Sequence, residues 1–418
     1  MPLNGLFEVD PTKTDMRLLV YSHSFAPQIG GVETYAMALA RGLASSPELR
    51  ESEGIDITVG TKSVADGFDD SSLPFRVVRR PRFWSLVGLI YYADIVHIVG
   101  PCLQPMLVAW LLHKPFTIEQ HAYQCACPNG LLFFEPTKTV CPGHFMAGRI
   151  KKCWECNRSA GIMQSWQMWV LTYIRRWFCD RAMANVAISD HVHQRLKLRN
   201  SRVIYYGISD TAPARERTPA SHPTRGICFA YVGRLVSEKG LETLIDAAAL
   251  LRKTTSDFSL KFIGDGPERP ILEKRVASQN LTSHVVFTGF LAEHKLRHCL
   301  ENVTAVVMPS RWEETAGLSA IEQMMRGRLV ICSDIGGLGE VVDSVGLKFP
   351  VRDAAALAKL MQQIIDEPEI AARLGCSARS RAVRLFALGR MIKDYVALFS
   401  GVLTSGQKPR PSRSSNEF

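Results

Sequence analysis

Nothing in these 418 residues is long and apolar enough to cross a bilayer. A spanning helix needs about 18–20 apolar residues in succession. The best stretches, LVGLIYYADIVHIVG and PMLVAWLLH, are broken by Asp94 or end too soon. The opening MPLNGLFEVDPTKTD has no basic region leading into an apolar one, so no secretory signal is expected. No internal repeat of short fixed period is visible. The G-x-G-x-x-G order of dinucleotide oxidoreductases is missing too: the first Gly-rich loop reads PQIGGVE. Acidic side chains are in deficit, with 40 Asp and Glu against 50 Lys and Arg, a net charge of +10.

What is present is ordinary for a globular protein: 46% apolar and 22% charged residues. The length suits two domains of about 150–200 residues each. Charge is uneven. Residues 141–200 hold ten Lys/Arg and three Asp/Glu, a surplus of +7. That reads either as a site for an anionic partner (phosphate, acidic lipid or nucleic acid) or as a solvated face. Of the eleven cysteines, five fall within residues 125–156. In a chain without a signal they point to a reducing compartment, where clustered Cys read more readily as metal ligands than as a disulfide frame.

Along the chain, MRLLVYS, a turn-rich FAPQIGG and VETYAMALARGLA read as strand, loop and helix, the start of a doubly wound α/β domain. IDITVG, ADIVHIVG, PFTIEQH, ANVAIS and RVIYYG read as further strands. Residues 209–226 have a linker composition rich in Pro, Ser, Thr and Arg. The pattern then restarts with CFAYVGR, a helix in SEKGLETLIDAAALLRK, and strands in LKFIGDGP, VVFTGF, AVVMPS and LVICSD. GRMIKDYVALFSGVL is helical in pattern, and SGQKPRPSRSSNEF has a disordered composition. Two successive α/β sheets imply ligands at the carboxyl ends of the strands, facing a cleft.

Three features of the second half concern phosphate. Arg234 and Lys239 flank a strand-to-helix turn; Arg offers a planar fork and Lys a compact charge, both suited to a diphosphate. The turn AGLSA opens a helix, so the amides of Leu318 and Ser319, after Gly317, are available to a phosphate. Taken alone, Arg234 and Lys239 are as well read as solvated charges. Glu314 and Glu322 change that balance. One lies in the loop before the helix and the other within it, so one carboxylate can hold sugar hydroxyls and the other a ribose diol. A diphosphate would then sit between them on the helix end.

The run PSRWEETAGLSAIEQMMRGRLVICSDIGGLGEVV resembles the donor-site signature of the retaining glycosyltransferases of family 4, which have the GT-B fold. AYVGRLVSEKGLETLIDA, FIGDGPE, VVFTGFL and YSHSFAPQIGGVETYAMALARGLA are similar to the family's other motifs, in order, over roughly residues 16–400. The resemblance implies an α/β GT-B fold of two Rossmann-like domains. Residues 15–208 would form an acceptor-side domain with a Cys-rich insert at 122–160. Residues 209–226 would be the linker and 227–387 the nucleotide-sugar-binding domain. A helix at 388–404 would pack back on the first domain, before a disordered tail at 405–418.

The implied roles follow residue by residue. Glu314 contacts donor sugar hydroxyls and Glu322 the ribose. Arg234 and Lys239 hold the diphosphate and stabilise charge on the leaving group, so no catalytic metal or other catalytic cofactor is required. The Gly30-Gly31 loop approaches the donor phosphate and acceptor. His121 matches a histidine near the reacting centre, although by itself it reads as a structural histidine. Glu340 supports the donor loop. Three positions depart from the pattern: Ala316 where Phe is common, Leu329 for a usual Pro, and YYGIS where Asn-Gly-(Val/Ile)-Asp is common.

Two features lie outside that scheme. Cys153 and Cys156 have metal-ligand spacing, and Cys127 with Cys141 would complete a tetrahedral thiolate site, with His144 as a substitute. A structural zinc, free thiols or disulfides, and an iron–sulfur cluster all remain open. SWQMWVLTYIRRWFCDR follows; four of the seven Trp lie between 154 and 177, beside Arg175, Arg176 and Arg181. An interfacial membrane helix and a buried helix are the two readings, the second somewhat favoured by the lack of a clean polar face.

The expectation is therefore a retaining glycosyltransferase with a UDP- or GDP-linked donor and a glycan or glycolipid acceptor. It is placed in the cytoplasm, at an anionic inner membrane face, with no nucleic-acid partner. The rival readings are a sugar-phosphate synthase or glycan polymerase on the same fold, and a basic membrane- or nucleic-acid-binding module without catalysis.

Overall fold

The computed structural model describes residues 16–28, 30–46, 54–210 and 226–406. Residues 211–225 of the expected linker and 407–418 of the expected tail lie outside them.

Nine strands are described before the linker: β1 Met16–Ser22, β2 Ile55–Thr61, β3 Arg76–Arg79, β4 Ile95–Val99, β5 Phe116–Gln120, the short pair β6 Phe133–Phe134 and β7 Thr139–Val140, then β8 Ala184–Ala187 and β9 Ser201–Val203. After it come β10 Ile227–Val232, β11 Phe258–Ile263, β12 Val285–Gly289, β13 Ala305–Met308, β14 Leu329–Ser333 and β15 Leu347–Phe349. The first large sheet has the order β3-β2-β1-β4-β5-β8-β9 and the second β12-β11-β10-β13-β14-β15. Helices follow most strands, so the strands run parallel, as in the pairs β1–β2, β1–β4, β10–β11 and β10–β13. Strands β4 (IVHIV) and β5 (FTIEQ) are buried at every position, their polar residues His97, Thr117, Glu119 and Gln120 included.

Each sheet reverses its strand order beside its first strand, between β1 and β4 and between β10 and β13. Ligands of open α/β sheets bind at such switch points, beyond the carboxyl ends of the strands. In the second sheet the loops leaving these two strands are the ones that carry Arg234 and Lys239 (after β10) and Glu314 (after β13).

The chain divides into two compact units, 1–120 with 177–186 and 392–418, and 121–176 with 187–391. These limits differ from the expected domains: residues 121–176 and 187–208 group with the C-terminal half. Side chains explain why. Tyr123 donates to the Glu313 carbonyl at 3.0 Å, and Arg195 reaches the Glu313 carboxylate at 2.9 Å. RVIYYG is strand only over Ser201–Val203; the rest is irregular.

The first unit holds a buried polar cluster. His97 Nδ1 lies 2.8 Å from Thr117 Oγ1, and its Nε2 lies 3.4 Å from the buried Glu119 carboxylate. Tyr35 donates to Tyr395 at 2.6 Å, and Tyr395 and Phe399 of the helix Leu388–Gly406 pack their rings on His97. In the second unit the core is aromatic and aliphatic. Phe229, Phe262, Ile331 and Phe349 are buried, and Phe262 stacks on Phe287 with centroids 4.8 Å apart.

The helix Ile162–Cys179 does not follow the buried reading. Ile162, Met163 and Trp166 are 77%, 84% and 54% exposed, while Ser165, Thr172, Phe178 and Cys179 are buried. Its inward face is small and polar at the start and apolar only at the end.

Candidate active site

The loop after β13 is held in place along its whole length. Glu314 is almost fully buried, which for a carboxylate requires partners. Lys239 Nζ lies 2.9 Å from its Oε1, and the Ser310 hydroxyl donates to the same oxygen. Lys239 also lies over the Trp312 ring at 5.8 Å. Thr315 Oγ1 donates to the His121 carbonyl at 3.0 Å, and the Thr315 carbonyl accepts from Ser189 Oγ at 2.5 Å. The Gly337 amide donates to the Glu314 carbonyl at 2.7 Å. A Cβ at Gly337 would lie 2.2 Å from the Thr315 carbonyl oxygen, so only glycine lets the turn after β14 lie against this loop.

Gly317 then opens the helix Leu318–Met325 with φ of 73°, a left-handed conformation that suits glycine. The amides of Ala320 and Ile321 bond back to the Gly317 carbonyl, whereas those of Leu318 and Ser319 make no hydrogen bond among the described residues. Two unbonded N–H groups at a helix start, with positive dipole charge behind them, favour an anion.

Glu322 is on that helix and makes no hydrogen bond or ion pair among the described residues. Burial pushes its carboxyl above the ordinary range; the nearby Arg326 only partly offsets this, and Glu293 adds to the rise. Arg234 stands exposed in the loop after β10, with no ion pair among the described residues. The structure thus brings Lys239 and Glu314 into contact, sets Gly317, Leu318 and Ser319 directly after them, and leaves Arg234 and Glu322 without a hydrogen bond or ion pair among the described residues. His121 joins through its backbone link to Thr315. Gly30 and Gly31 belong to the first unit, at the start of the helix Gly31–Ala44, where Gly30 is extended.

Three roles were not legible in the sequence. Glu313, left without a function there, pairs with Arg195 at 2.9 Å and lies 3.8 Å from His191. Burial opposes its charge, but the His191 and Arg195 contacts outweigh that and lower its pKa. Glu340 caps a helix: its carboxylate accepts from the amides of Asp190 and His191 at 2.8 and 2.7 Å. Tyr206, which departs from the family pattern, lies 2.5 Å from His121 Nδ1. Ala316 is buried, so a larger side chain there has to displace a neighbour. None of these pairings is local: the partners lie 118, 150 and 85 residues apart.

Cys127, Cys141, Cys153 and Cys156 line one small cavity together with His144. All four are unbridged. Burial pushes the Cys127 thiol up to about 11 and that of Cys153 up to about 12, so both are protonated near neutrality. As placed, no three His, Cys, Asp or Glu side chains among the described residues form a group that could hold a metal ion. Neutral thiols have no electrostatic reason to converge.

The strand orders and helix layers define a class, the GT-B fold of two parallel-sheet, Rossmann-like units. The structure of Anabaena Alr3699/HepE in complex with UDP matches with a TM-score of 0.69 at 16% identity, covering 93% of this chain and all of that one. A sucrose-phosphate synthase from Thermosynechococcus elongatus matches with a TM-score of 0.69 at 22% identity over the same shares. In sequence, residues 214–381 match the family model for glycosyl transferases group 1. An alpha-D-kanosaminyltransferase of Streptomyces kanamyceticus is 33% identical over 35% of this chain and 39% of its own length. A glycogen synthase of Mycobacterium tuberculosis is 30% identical over 48% of each chain. The matched part is thus less than half the length of these relatives. A 2-deoxystreptamine N-acetyl-D-glucosaminyltransferase of Streptomyces fradiae is 25% identical over 86% of this chain and 91% of its own.

The unpartnered Glu322 generates a two-sided prediction. Because burial raises its folded pKa, its ionised form is penalised, and the group's contribution to stability is lost as pH rises through that pKa. Glu322→Gln therefore gains thermal stability over wild type at pH 7, with the gain shrinking as pH falls toward the ordinary carboxylate range. The same change weakens nucleotide binding about tenfold to a hundredfold, the worth of hydrogen bonds to a charged group. Thermal melts across pH and calorimetric titration of nucleotide check both halves.

Proposed function

We propose that the chain is a retaining glycosyltransferase that moves a sugar from a nucleoside diphosphate sugar to an acceptor hydroxyl. The observation that carries this reading is the juxtaposition, after β10 and β13, of the Lys239–Glu314 pair at 2.9 Å and a helix start with two unbonded amides. In this reading the diphosphate lies on the amides of Leu318 and Ser319, with Lys239 and Arg234 neutralising it. Lys239 exchanges part of its contact with Glu314 for the phosphate, which frees that carboxylate for sugar hydroxyls. Glu322 accepts from the ribose diol. Relatives that carry transferase names, and fold neighbours solved with UDP or UDP-glucose, support a nucleotide-sugar donor and make UDP-sugars the first to test.

The step proceeds on one face of the sugar. The bond from the anomeric carbon to the diphosphate oxygen breaks, and the bond to the acceptor oxygen forms on the same side. The acceptor proton passes to the departing diphosphate, so no protein nucleophile is required. His121, fixed through Nδ1 by Tyr206, borders the reacting centre. Charge developing on the leaving group is the main demand, and preorganised cations and amides meet it.

Arg234 offers the cleanest test, because it has no ion pair to lose among the described residues. Arg234→Ala keeps wild-type stability within about 0.5 kcal/mol and lowers kcat about 10²–10³-fold. Nucleoside diphosphate release, followed over a panel of UDP- and GDP-sugars, measures it. If wild type turns over none of them, the transferase reading fails and a binding module takes its place.

We further propose an acceptor of glycan or glycolipid kind, used at an anionic, cytoplasmic membrane face. Supporting this are Phe83 and Trp84, 48% and 74% exposed, the exposed start of the helix Ile162–Cys179, and the basic surplus of 141–200. Flotation with vesicles is the check: binding to anionic vesicles that fades with salt agrees, and equal or absent binding to anionic and neutral vesicles contradicts it.

A further inference from the structure

The four cysteines of the insert belong to three separate pieces of backbone. Cys127 opens the turn Cys127-Pro128-Asn129-Gly130, and Cys141 opens a second Cys-Pro turn, Cys141-Pro142-Gly143-His144. The hairpin β6–β7 lies between them. Cys153 and Cys156 end the helix Ile150–Cys156. All four side chains nevertheless line one cavity. Cys125, two residues from Cys127 and equally buried, does not.

As placed, Cys127 Sγ donates to Asn129 Oδ1 at 2.9 Å and Cys156 Sγ to the Phe133 carbonyl at 3.5 Å, bonds of neutral thiols, yet amide donors also point at the sulfurs. The His144 amide donates to Cys141 Sγ at 3.5 Å and the Glu135 amide to Cys156 Sγ at 3.4 Å. Asn129 Nδ2 donates to Cys156 Sγ at 3.5 Å. A neutral thiol is a weak acceptor and gains little from such donors, whereas a thiolate is held by them. His144, whose buried Nδ1 has no hydrogen-bond partner among the described residues, stands at the wall of the same cavity.

We propose that Cys127, Cys141, Cys153 and Cys156 bind one zinc ion as four thiolates and that this site is structural. Each thiol releases its proton to solvent as its sulfur–zinc bond forms, and nothing is oxidised or reduced. Four sulfurs around zinc leave no open position for substrate. The small side-chain movements that close the group come from the metal, because only its charge offsets the repulsion of converging thiolates. His144 lines the site as a neighbour rather than a ligand.

The site also reaches the donor loop. Arg195 donates to the Cys141 carbonyl at 2.5 Å and to the Glu313 carboxylate at 2.9 Å, and Glu313 directly precedes Glu314. Tyr123, at the insert's start, holds the Glu313 carbonyl. Metal loss therefore loosens both the insert and the segment around Glu313.

The experiment uses the full chain, reconstituted with zinc under reducing conditions and desalted. Elemental analysis then gives one zinc per chain, and Cys153→Ser and Cys156→Ser abolish it, while Cys125→Ala and Cys376→Ser keep it. Cobalt offered to metal-free wild type gives the intense absorption of a tetrahedral thiolate site, a readout that stands even where a variant fails to fold. Hydrogen exchange rises in 127–156 and 311–315 when a chelator removes the metal. The proposal is overturned by bound iron and sulfide, by a disulfide among these cysteines, by zinc that survives in the Cys153 and Cys156 variants, or by cobalt without thiolate absorption. None of these outcomes depends on sugar transfer, so they are separable from the activity reading.

Discussion

A buried carboxylate has to be paid for, and in this protein the payment organises the second unit. Glu314 is taken out of water, with Lys239 and Ser310 on one of its oxygens. To keep it there, the neighbours on both sides are tied down, Glu313 by Arg195 and Thr315 by Ser189 and the His121 carbonyl. The glycines after β14 let a second turn close on the same loop. Such a network is costly when half satisfied and rigid when complete. Rigidity here sets the start of the next helix, where the Leu318 and Ser319 amides stand unbonded.

Against that saturated loop, the groups without partners stand out. Among the described residues Arg234 and Glu322 make no ion pair, and Glu322 is half-buried with its pKa raised, the nearby Arg326 offsetting this only in part. Stability favours neither arrangement. Local cost concentrated where a ligand would relieve it is the mark of a binding site. The strand order agrees independently, because the loops after β10 and β13 flank the switch point of the sheet.

Much of this was legible in the sequence. Buried parallel strands announce themselves as apolar runs, and strand-turn-helix repeats gave the fold class and most strand positions. Glu314, Glu322, Arg234 and Lys239 stand out as candidates because each lies close in sequence to a strand end or helix start. Short edge strands escaped: RVVR at β3 and LKF at β15 are too brief and too charged to show a pattern. Partnerships over long separations escaped as well. Nothing local in YYGIS says that Tyr206 reaches His121, and nothing near Glu313 points to Arg195. The unit boundaries moved for the same reason, since the side chains that attach 121–176 to the C-terminal half come from distant segments. The helix Ile162–Cys179 misled because its apolar content is high while its packed face is small.

The central claim is that this helix start and its cations hold a diphosphate. Calorimetric titration of the wild-type chain with nucleoside mono- and diphosphates of the same base tests it most directly. If the claim is right, the diphosphate binds with one-to-one stoichiometry and at least about tenfold more tightly than the monophosphate, the worth of one added charge-assisted contact set. Equal affinity for the two nucleotides, or no binding of either, would contradict it.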